Sequence, residues 1–337
     1  MIRSENFSLK KLNTFGLEVK SRFFYQAGEE GEILEFLESY SSTQGPLLIL
    51  GGGSNILFTS DYPGTVLRIC TKGRKKISQD QDFVYVSVAA GEVWDEIVDY
   101  CVENGWGGME NLSLIPGNTG AAPVQNIGAY GIEAKDILYE VETIDIETGK
   151  KSTITAAECR FGYRDSIFKN ELKGRIIITS VIFRLQREPV LNLSYGKIRE
   201  ELLAMKTGCP DIRTVRQAVI NIRRKKLPDP AVLGSAGSFF KNPVIPEEKF
   251  LELKDRHPDI SFHLQENCFK LSAAWLIDQC GWKGKRFGDA GVHNQQPLVL
   301  VNYGRATGTE ILELSGKIVD SVEERFGVKL ETEVNII

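Results

Sequence analysis

The chain has 337 residues, of which 42% are hydrophobic and 26% are charged, with a formal net charge of −4. This composition is typical of a globular protein with two or three domains and excludes a disordered chain. Because the balance is slightly acidic, the chain has no general attraction to nucleic acid or to an anionic membrane, so any anion site must be local. The segment from Met1 to Val19 lacks the apolar core of a signal peptide, and no apolar run could span a bilayer.

The cysteines are far apart in the sequence, and no pair has the Cys-x-x-Cys spacing of a metal or redox site. We therefore expect reduced structural thiols, no metal ion and a cytoplasmic location. The residues concerned are Cys70, Cys101, Cys159, Cys209, Cys268 and Cys280.

The first half of the chain is typical of an α+β protein, because its predicted strands are adjacent in sequence with few crossover helices. Strands are predicted over residues 22–27, 47–50, 65–70, 83–89, 138–146 and 175–185, and helices over 29–39 and 92–103. In the second half, helices are predicted over residues 213–226, 271–280 and 310–326, and strands over 298–302 and 330–336.

A glycine-rich turn, Gly51–Asn55 with the sequence GGGSN, follows the buried strand predicted over 47–50. Backbone N–H groups in such a turn can wrap a diphosphate. The turn fits neither standard nucleotide fingerprint, because Ile56 stands where G-x-G-x-x-G needs its third glycine and no Gly-Lys-Ser/Thr follows. Taken alone, it is equally well explained as a plain tight turn.

The stretch from Leu114 to Gly131, LIPGNTGAAPVQNIGAYG, fits no strong helix or strand pattern. Its glycines let backbone N–H groups approach a ligand closely, and Gln125 and Asn126 add amides suited to the edge of a heteroaromatic ring. An ordinary Gly/Pro loop is the alternative explanation. Because long structureless loops inside domains are usually functional, we interpret this stretch as a cofactor cradle.

Standard catalytic arrangements are missing from the sequence. Ser238 is not in a G-x-S-x-G elbow, and none of the three histidines has the spacing of a triad or a metal site. Four cations end the helix predicted over 213–226, where they are either solvated charge favoured by the helix dipole or part of an anion site. Together with the two glycine-rich segments, these features suit a bound dinucleotide cofactor that performs redox chemistry.

Five motifs in one order closely resemble the UDP-N-acetylenolpyruvoylglucosamine reductase family, also called UDP-N-acetylmuramate dehydrogenases. The resemblance covers nearly the whole chain. The segment Leu193–Gly196 further resembles the branch of the family with an extra tyrosine-bearing substrate loop. The motifs are Gly51–Asn55, Ile115–Gly131, Arg160–Ser166, Leu227–Pro230 and Gly237–Pro243.

The resemblance implies an α+β fold, in which a two-domain FAD-binding module of the vanillyl-alcohol-oxidase type carries a smaller α/β substrate-binding domain. The implied domains are residues 1–70 joined by the C-terminal strand 330–337, residues 71–220, and residues 221–329. The implied cofactor residues are Gly51, Gly52, Gly53, Ser54, Asn55, Pro116, Gly117, Gly120, Ala121, Gln125, Asn126, Gly128, Ala129, Gly131 and Ile178.

The resemblance also implies a reaction in two steps. NADPH reduces FAD, NADP⁺ leaves, and UDP-N-acetylglucosamine enolpyruvate occupies the same site. A hydride then passes from flavin N5 to C3 of the enolpyruvyl group and a proton adds at C2, giving UDP-N-acetylmuramate for peptidoglycan synthesis. Residues that match the family's catalytic positions are Arg164 and Glu333 near the substrate carboxylate, and Ser238 as the proton donor to C2.

The implied substrate contacts are Tyr195 over the diphosphate or sugar, Lys226 and Asn242 on the diphosphate, and Lys283 and Gln296 on the uridine side. The chain departs from some relatives at residues 121–122, where two alanines replace hydroxyl residues beside the FAD diphosphate. Backbone amides could still bind that diphosphate.

Two other classes of function stay open. Another FAD oxidase or dehydrogenase of the same superfamily would share the cradle but would not need Arg164, Ser238 and Glu333 together. A non-catalytic nucleotide-binding protein would keep the glycine-rich turns and lose the proton donor. A monomer that binds no nucleic acid and no membrane is the default expectation.

Overall fold

A computed structural model describes residues 1–265 and 268–337 of the chain. The helices are α1 (Glu30–Ser39), α2 (Trp94–Glu103), α3 (Ala134–Ile137), α4 (Ile198–Ala204), α5 (Ile212–Lys226), α6 (Glu247–Arg256), α7 (Ala273–Gln279) and α8 (Gly308–Phe326). The strands of the first half are β1 (Ile2–Ser8), β2 (Lys20–Ala27), β3 (Leu47–Leu50), β4 (Ile56–Leu57), β5 (Tyr62–Ile69), β6 (Arg74–Gln79), β7 (Phe83–Ala89), β8 (Gly128–Ala129), β9 (Ile132–Glu133), β10 (Leu138–Asp145), β11 (Lys151–Thr155) and β12 (Ile176–Gln186). Those of the second half are β13 (Gly234–Ser235), β14 (Val244–Ile245), β15 (Phe262–Gln265), β16 (Cys268–Leu271), β17 (Arg286–Phe287), β18 (Ala290–Val292), β19 (Leu300–Asn302) and β20 (Asn335–Ile336).

These elements form two compact units, each built from segments that are distant in sequence. The first unit comprises Met1–Phe7, Ser21–Gly52 and Pro63–Lys225. The second unit comprises Ser8–Lys20, Gly53–Tyr62 and Lys226–Ile337. The three domains expected from the sequence, with their boundaries near residues 70, 220 and 329, stay a prediction.

The first unit contains two main sheets. One has the strand order β1-β2-β5-β3, with β3 and β5 parallel so that Leu47 pairs with Thr65. The other is antiparallel, with the order β11-β10-β12-β7-β6. The central strand β12 is an almost continuous buried apolar run, whereas the edge strand β6 is exposed along its whole length. Three successive cations on that edge, at residues 74–76, disfavour pairing with another chain.

Helix α2 packs against the antiparallel sheet through an apolar stripe. Trp94, Ile97, Val98 and Cys101 follow the spacing of one helix face and are all at most 1% exposed. The Trp94 ring meets the ring of Phe183 on β12 edge to face, with their centroids 5.7 Å apart. This packing fixes the beginning of α2. Residues at that beginning in turn hold the loop that follows the helix.

The second unit is built around helix α8 and the antiparallel sheet β13-β19-β18-β17. Thr307 and Glu310 form a capping box at the start of α8, and Gly327 ends it in the left-handed conformation with φ = 62°. A second antiparallel sheet has the order β14-β16-β15, and the short parallel pair β4-β20 joins residues 56–57 to 335–336.

Most predicted elements are confirmed, with small shifts at their ends. The strand predicted over 330–336 is wrong for most of its length, since only β20 and one bridge at Thr332 pair with other backbone. The cradle is also less irregular than expected, because it contains a 3-10 turn over Thr119–Ala121 and the hairpin β8-β9. The periodicity gave no expectation for β1, β6, α4 or α6.

Candidate functional site

The cradle from Leu114 to Gly131 is fixed by the start of α2. The indole N–H of Trp94 donates to the carbonyl of Leu112 at 2.9 Å, and its backbone N–H donates to the carbonyl of Gly117 at 3.0 Å. The N–H of Leu114, a residue with φ = 58°, donates to Oδ1 of Asp95 at 2.5 Å. The start of α2 therefore bonds to the cradle at Leu114 and Gly117, and to Leu112 just before it.

The glycine-rich turn lies against this cradle within the first unit. A Cβ added to Gly52 would lie 2.7 Å from Oδ1 of Asn118 and 2.9 Å from Cα of Gly117. A Cβ added to Gly120 would lie 2.6 Å from Cβ of Ala90. The two glycine motifs thus pack backbone to backbone, which requires glycine and suits a ligand that lies along peptide groups.

The N–H groups of the 3-10 turn are already engaged within the protein. Those of Thr119 and Gly120 donate to the carbonyls of Glu92 at 2.8 Å and Ala90 at 2.9 Å. Those of Ala121 and Ala122 donate to carbonyls inside the turn, at 3.0 Å each. We expected that backbone amides could bind the FAD diphosphate beside Ala121 and Ala122, but the N–H groups of residues 119–122 already have partners within the protein. The cofactor contacts of Gly120 and Ala121 stay predictions.

The side chain of Asn126 is completely buried and joins the cradle to neighbouring segments by hydrogen bonds. Its Nδ2 donates to Oε2 of Glu133 at 3.0 Å and to the carbonyl of Gly162 at 2.9 Å, and its Oδ1 accepts from the N–H of Lys135 at 3.0 Å. Both donors of the amide are thus used inside the protein. These bonds stabilise the cradle, and the prediction that Asn126 contacts the edge of a cofactor ring stays a prediction.

Arg164 is joined to the same part of the cradle. Its Nη1 donates to the carbonyl of Asn126 at 3.3 Å and its Nη2 to the carbonyl of Gly128 at 2.6 Å. Its backbone is left-handed, with φ = 54°, and its guanidinium carbon lies 5.4 Å from the centre of the Tyr163 ring. The structure therefore brings one predicted catalytic residue together with predicted cofactor residues.

Other predicted cofactor and substrate residues of the first unit border the cradle. Ile178 on β12 is 8% exposed, and the next residue of that strand, Thr179, accepts the N–H of Ala90 at 2.8 Å. Tyr195 is 41% exposed, and a Cβ added to Gly131 would lie 3.1 Å from its Cβ. The tyrosine-bearing segment therefore runs beside the last residue of the cradle.

In the second unit, the rest of the glycine-rich turn is tied to the segment that carries Glu333. A Cβ added to Gly53 would lie 1.9 Å from the carbonyl oxygen of Leu12, so only glycine fits there. Nδ2 of Asn55 donates to the carbonyl of Glu333 at 3.2 Å, and the N–H of Asn335 donates to the carbonyl of Asn55 at 3.1 Å. Gly53, Ser54 and Asn55 are thereby held next to a predicted catalytic residue.

The second unit also brings the backbone segments of Ser238 and Glu333 together. The N–H of Glu333 donates to the carbonyl of Phe239 at 2.8 Å, and the N–H of Phe239 donates to the carbonyl of Leu298 at 2.7 Å. The rings of Phe239 and Phe240 are at most 1% exposed and contact each other edge to face. Ser238 is thus a half-buried residue on a rigid segment, beside Glu333 and the loop that contains Gln296.

The remaining substrate residues have local roles in the second unit. Oδ1 of Asn242 accepts the N–H of Ala273 at 3.0 Å, at the first turn of α7. The N–H of Gln296 donates to Nδ1 of His293 at 3.2 Å. Lys226 is exposed at the end of α5, and Nζ of Lys283 lies 3.7 Å from Oδ2 of Asp278. Their substrate contacts stay predictions.

Three further residues hold the cradle in a role that the sequence did not predict. They are Trp94, Asp95 and the completely buried Asn111. The polar pair Glu110–Asn111 shortly before the cradle is the available signal, because polar side chains that become buried must find hydrogen-bond partners nearby.

The chain is similar to known proteins over nearly its whole length. Residues 21–155 match the FAD binding domain, and residues 229–337 match the C-terminal domain of UDP-N-acetylenolpyruvoylglucosamine reductase. The reductase of Flavobacterium johnsoniae is 50% identical over 334 residues, which cover 98% of this chain and 98% of that protein. The reductase of Chromobacterium violaceum is 50% identical over 331 residues, covering 98% of this chain and 97% of that protein.

The chain belongs to the UDP-N-acetylenolpyruvoylglucosamine reductase family. The crystal structure of the Thermus caldophilus reductase has a TM-score of 0.67 and 25% identity over 99% of this chain and 98% of that one. The α+β fold with an FAD-binding module and a separate C-terminal domain is thereby confirmed, and FAD is the cofactor. Membership of the branch with the extra tyrosine loop stays a prediction.

Membership of the reductase family makes the chain a flavoprotein oxidoreductase of peptidoglycan precursor synthesis. Among the residues that the structure describes, none of the helices has the length and apolar character needed to cross a bilayer. Cys70, Cys101, Cys159, Cys209 and Cys280 are free thiols in the structure.

Proposed function

We propose that this reductase uses NADPH to convert UDP-N-acetylglucosamine enolpyruvate into UDP-N-acetylmuramate, with Arg164, Ser238 and Glu333 as its catalytic residues. The observation that carries the proposal is the hydrogen bond from the N–H of Glu333 to the carbonyl of Phe239 at 2.8 Å. It sets the backbone of an acidic residue beside that of a serine, within a family whose named substrate is an enol ether.

FAD, reduced by NADPH, supplies the hydride that C3 of the enolpyruvyl group takes up. Adding this hydride places negative charge on C2 and on the adjoining carboxylate, so the site needs a cation at the carboxylate and an acid at C2. Arg164 has the planar fork that binds a carboxylate with two hydrogen bonds. Glu333 is the acidic residue that acts at the same carboxylate.

Ser238 donates its hydroxyl proton to C2, which completes the conversion of the double bond into a single bond. A serine hydroxyl is a weak acid in water, so it must be aligned with a strongly basic carbanion from which water is excluded. The rigid base formed by the buried rings of Phe239 and Phe240 supports this alignment. A positioned proton donor contributes about 10²–10⁴-fold to the rate.

The substrate nucleotide is bound by residues around this centre. Tyr195 covers the diphosphate or sugar, Lys226 pairs with the diphosphate, and Asn242 hydrogen-bonds to it. Lys283 and Gln296 contact the uridine side. NADPH and the UDP-sugar use the same site in turn, and the enzyme is a cytoplasmic monomer.

The test is NADPH oxidation followed by absorbance, with and without UDP-N-acetylglucosamine enolpyruvate, together with detection of UDP-N-acetylmuramate by mass spectrometry. We expect oxidation to depend on the UDP-sugar and Ser238→Ala to lower kcat by about 10²–10⁴-fold while FAD stays bound. Ser261→Ala is the matched control, because Ser261 is an exposed serine of the same unit.

Three outcomes would contradict parts of this proposal. Oxidation of NADPH at the same rate without the UDP-sugar would identify oxygen as the acceptor and the protein as an oxidase. Substrate-dependent turnover that Ser238→Ala leaves unchanged would keep the function and remove Ser238 as the acid. An absence of both flavin absorbance and turnover would favour a nucleotide-binding protein without catalysis.

A further inference from the structure

Asn111 is a completely buried residue that joins two segments of the first unit. Its Nδ2 donates to the carbonyl of Tyr130 at 2.8 Å and to the carbonyl of Asn192 at 2.9 Å. Tyr130 belongs to the end of the cradle, and Asn192 begins the segment that leads to Tyr195. Both N–H donors of the Asn111 amide therefore bond to these two segments and hold them at a fixed distance.

A second hydrogen bond links the same segments directly. Nδ2 of Asn192 donates to the carbonyl of Gly131 at 3.2 Å. Oδ1 of Asn192 accepts the hydroxyl proton of Ser194 at 2.8 Å and lies 3.3 Å from its backbone N–H. Asn192 thus turns the chain directly before Tyr195 and ties that turn to the cradle.

The packing between the segments is close in both directions. A Cβ added to Gly131, where φ is 81°, would lie 3.1 Å from Nδ2 of Asn192 and 3.1 Å from Cβ of Tyr195. A Cβ added to Gly196, where φ is 67°, would lie 3.3 Å from Cδ1 of Tyr130. Each tyrosine is therefore packed against the glycine that neighbours the other.

Tyr130, at the end of the cradle, is also held by an apolar cluster. Tyr130 packs against the buried residues of α4 and α5, with Leu191 and Leu193 beside it. Tyr130 itself has a left-handed backbone, with φ = 50°, which a bulky residue adopts only when its surroundings enforce it. The bonds from Asn111 to Tyr130 and Asn192 are part of that enforcement.

We propose that Asn111 is a positioning residue for Tyr195, which holds the substrate-covering segment against the end of the cofactor cradle. The inference rests on the proposed function, in which Tyr195 covers the UDP-sugar. The side chain of Asn111 is completely buried, and both of its donated hydrogen bonds go to the Tyr130 and Asn192 carbonyls, so it acts on Tyr195 through residues 130–131 and 192–195. Loss of its two donors leaves FAD bound but frees the segment that carries Tyr195, so substrate affinity falls.

The experiment compares Asn111→Leu, which has a similar shape and no donors, with Asn104→Ala. Asn104 is an exposed residue whose Nδ2 also donates to a backbone carbonyl, that of Tyr100 at 2.7 Å, so it controls for the loss of an amide hydrogen bond. The KM for UDP-N-acetylglucosamine enolpyruvate, the FAD content and the unfolding temperature are measured for each. We expect KM to rise at least about tenfold in Asn111→Leu, with FAD content unchanged, and to stay at the wild-type value in Asn104→Ala.

The same substitution is then made in a Tyr195→Ala background. If Asn111 acts through Tyr195, its effect on KM disappears there, because interacting residues are not additive. An equal effect in both backgrounds, or loss of FAD with KM unchanged, would overturn the proposal. Should Asn111→Leu fail to fold, Asn111→Ala, which also removes both donors and adds no larger side chain, is judged by the same criteria.

Amide hydrogen exchange of residues 192–197 gives a readout that needs no turnover. We expect faster exchange in Asn111→Leu than in wild type or Asn104→Ala. Unchanged exchange would overturn the positioning role even if the enzyme is active. Faster exchange in a protein that does not oxidise NADPH would instead keep the positioning role and reject the proposed reaction.

Discussion

Nη2 of Arg164 lies 2.6 Å from the carbonyl oxygen of Gly128, and its Nη1 lies 3.3 Å from that of Asn126. One guanidinium thus bonds to two peptide groups of the cradle. We expect Arg164→Lys to keep the charge and to lose the planar fork, because an ammonium cannot reproduce two parallel hydrogen bonds. Steady-state kinetics should show kcat reduced by about 10²–10³-fold, as for loss of one donor from an oxyanion site.

Arg160→Lys is the matched control for this substitution. Arg160 begins the motif Arg160–Ser166 that contains Arg164, and it pairs with Glu171 at 2.8 Å, but both side chains are more than half exposed. Exposed ion pairs contribute little, so this variant should have wild-type kinetics. Full activity of Arg164→Lys would show that the charge alone suffices and that the fork has no part in catalysis.

Gly52 and Gly31 form a second matched pair. We expect Gly52→Ala to lower the FAD content and the unfolding temperature, because its Cβ would lie 2.9 Å from the backbone Cα of Gly117, which cannot rotate away. Gly31 lies in α1 with no atom within 4 Å of an added Cβ. Gly31→Ala should therefore stabilise the helix by about 0.5–1 kcal/mol. Flavin absorbance and thermal unfolding measure both effects, and a stable, FAD-replete Gly52→Ala would contradict the close approach.

Glu92 gives the stability a dependence on pH. Burial raises the pKa of this carboxyl, but hydrogen bonds from the N–H of Gly73 at 2.8 Å and from Nζ of Lys72 at 3.1 Å outweigh that effect, so the pKa lies below its ordinary value of 4.5. A carboxyl with a depressed pKa in the folded state contributes stability above its unfolded pKa. That contribution is lost as the pH falls through the folded value.

We therefore expect Glu92→Gln to be less stable than wild type near neutral pH. The difference in the free energy of unfolding should shrink as the pH falls below about 4.5, the ordinary value for Glu92. Urea unfolding of both proteins at about pH 7 and about pH 3 measures this difference. A difference that stays constant between these pH values would mean that the ionised carboxylate is not the stabilising species.

The cysteines should differ sharply in their reaction with a maleimide. Burial raises the pKa of the Cys101 and Cys159 thiols to about 12, and both are 0% exposed. The thiolate is the reactive form, so these two should label only after unfolding in urea. Cys209 is exposed and should label in the folded protein. Peptide mass spectrometry distinguishes the sites, and fast labelling of Cys159 in the folded state would contradict its burial.

The sequence predicts those helices and strands whose buried residues recur with the period of a helix or form the apolar run of a central strand. Helix α2 and strand β12 are examples, since apolar residues follow one helix face or fill a central strand. Strand β6 has the sequence RKKISQ and is fully exposed, so it pairs with β7 without any apolar pattern. The segment 330–334 alternates like a strand but has only one bridge, at Thr332, whose backbone hydrogen bonds join Glu331 to Lys241 and Glu333 to Phe239.

The candidate site divides in the same way. Motif resemblance predicts Arg164, Ser238 and Glu333, because chemistry restricts which residue types can serve. It does not predict what holds them. The bond that the N–H of Leu114 donates to Asp95, and the two bonds that Asn111 donates, depend on backbone groups that carry no sequence signature. Only the folded backbone shows which carbonyl or N–H each side chain meets.

The parallel pair of β4 and β20 has a consequence for biosynthesis. Asn335, which bonds twice to the carbonyl of Asn55, is 280 residues further along the chain. A ribosome must therefore complete the whole intervening stretch of the first unit, Pro63–Lys225, before the turn at Gly53–Asn55 can gain these partners. The nascent chain consequently acquires a finished glycine-rich turn late, and flavin loading that depends on this turn follows translation instead of accompanying it.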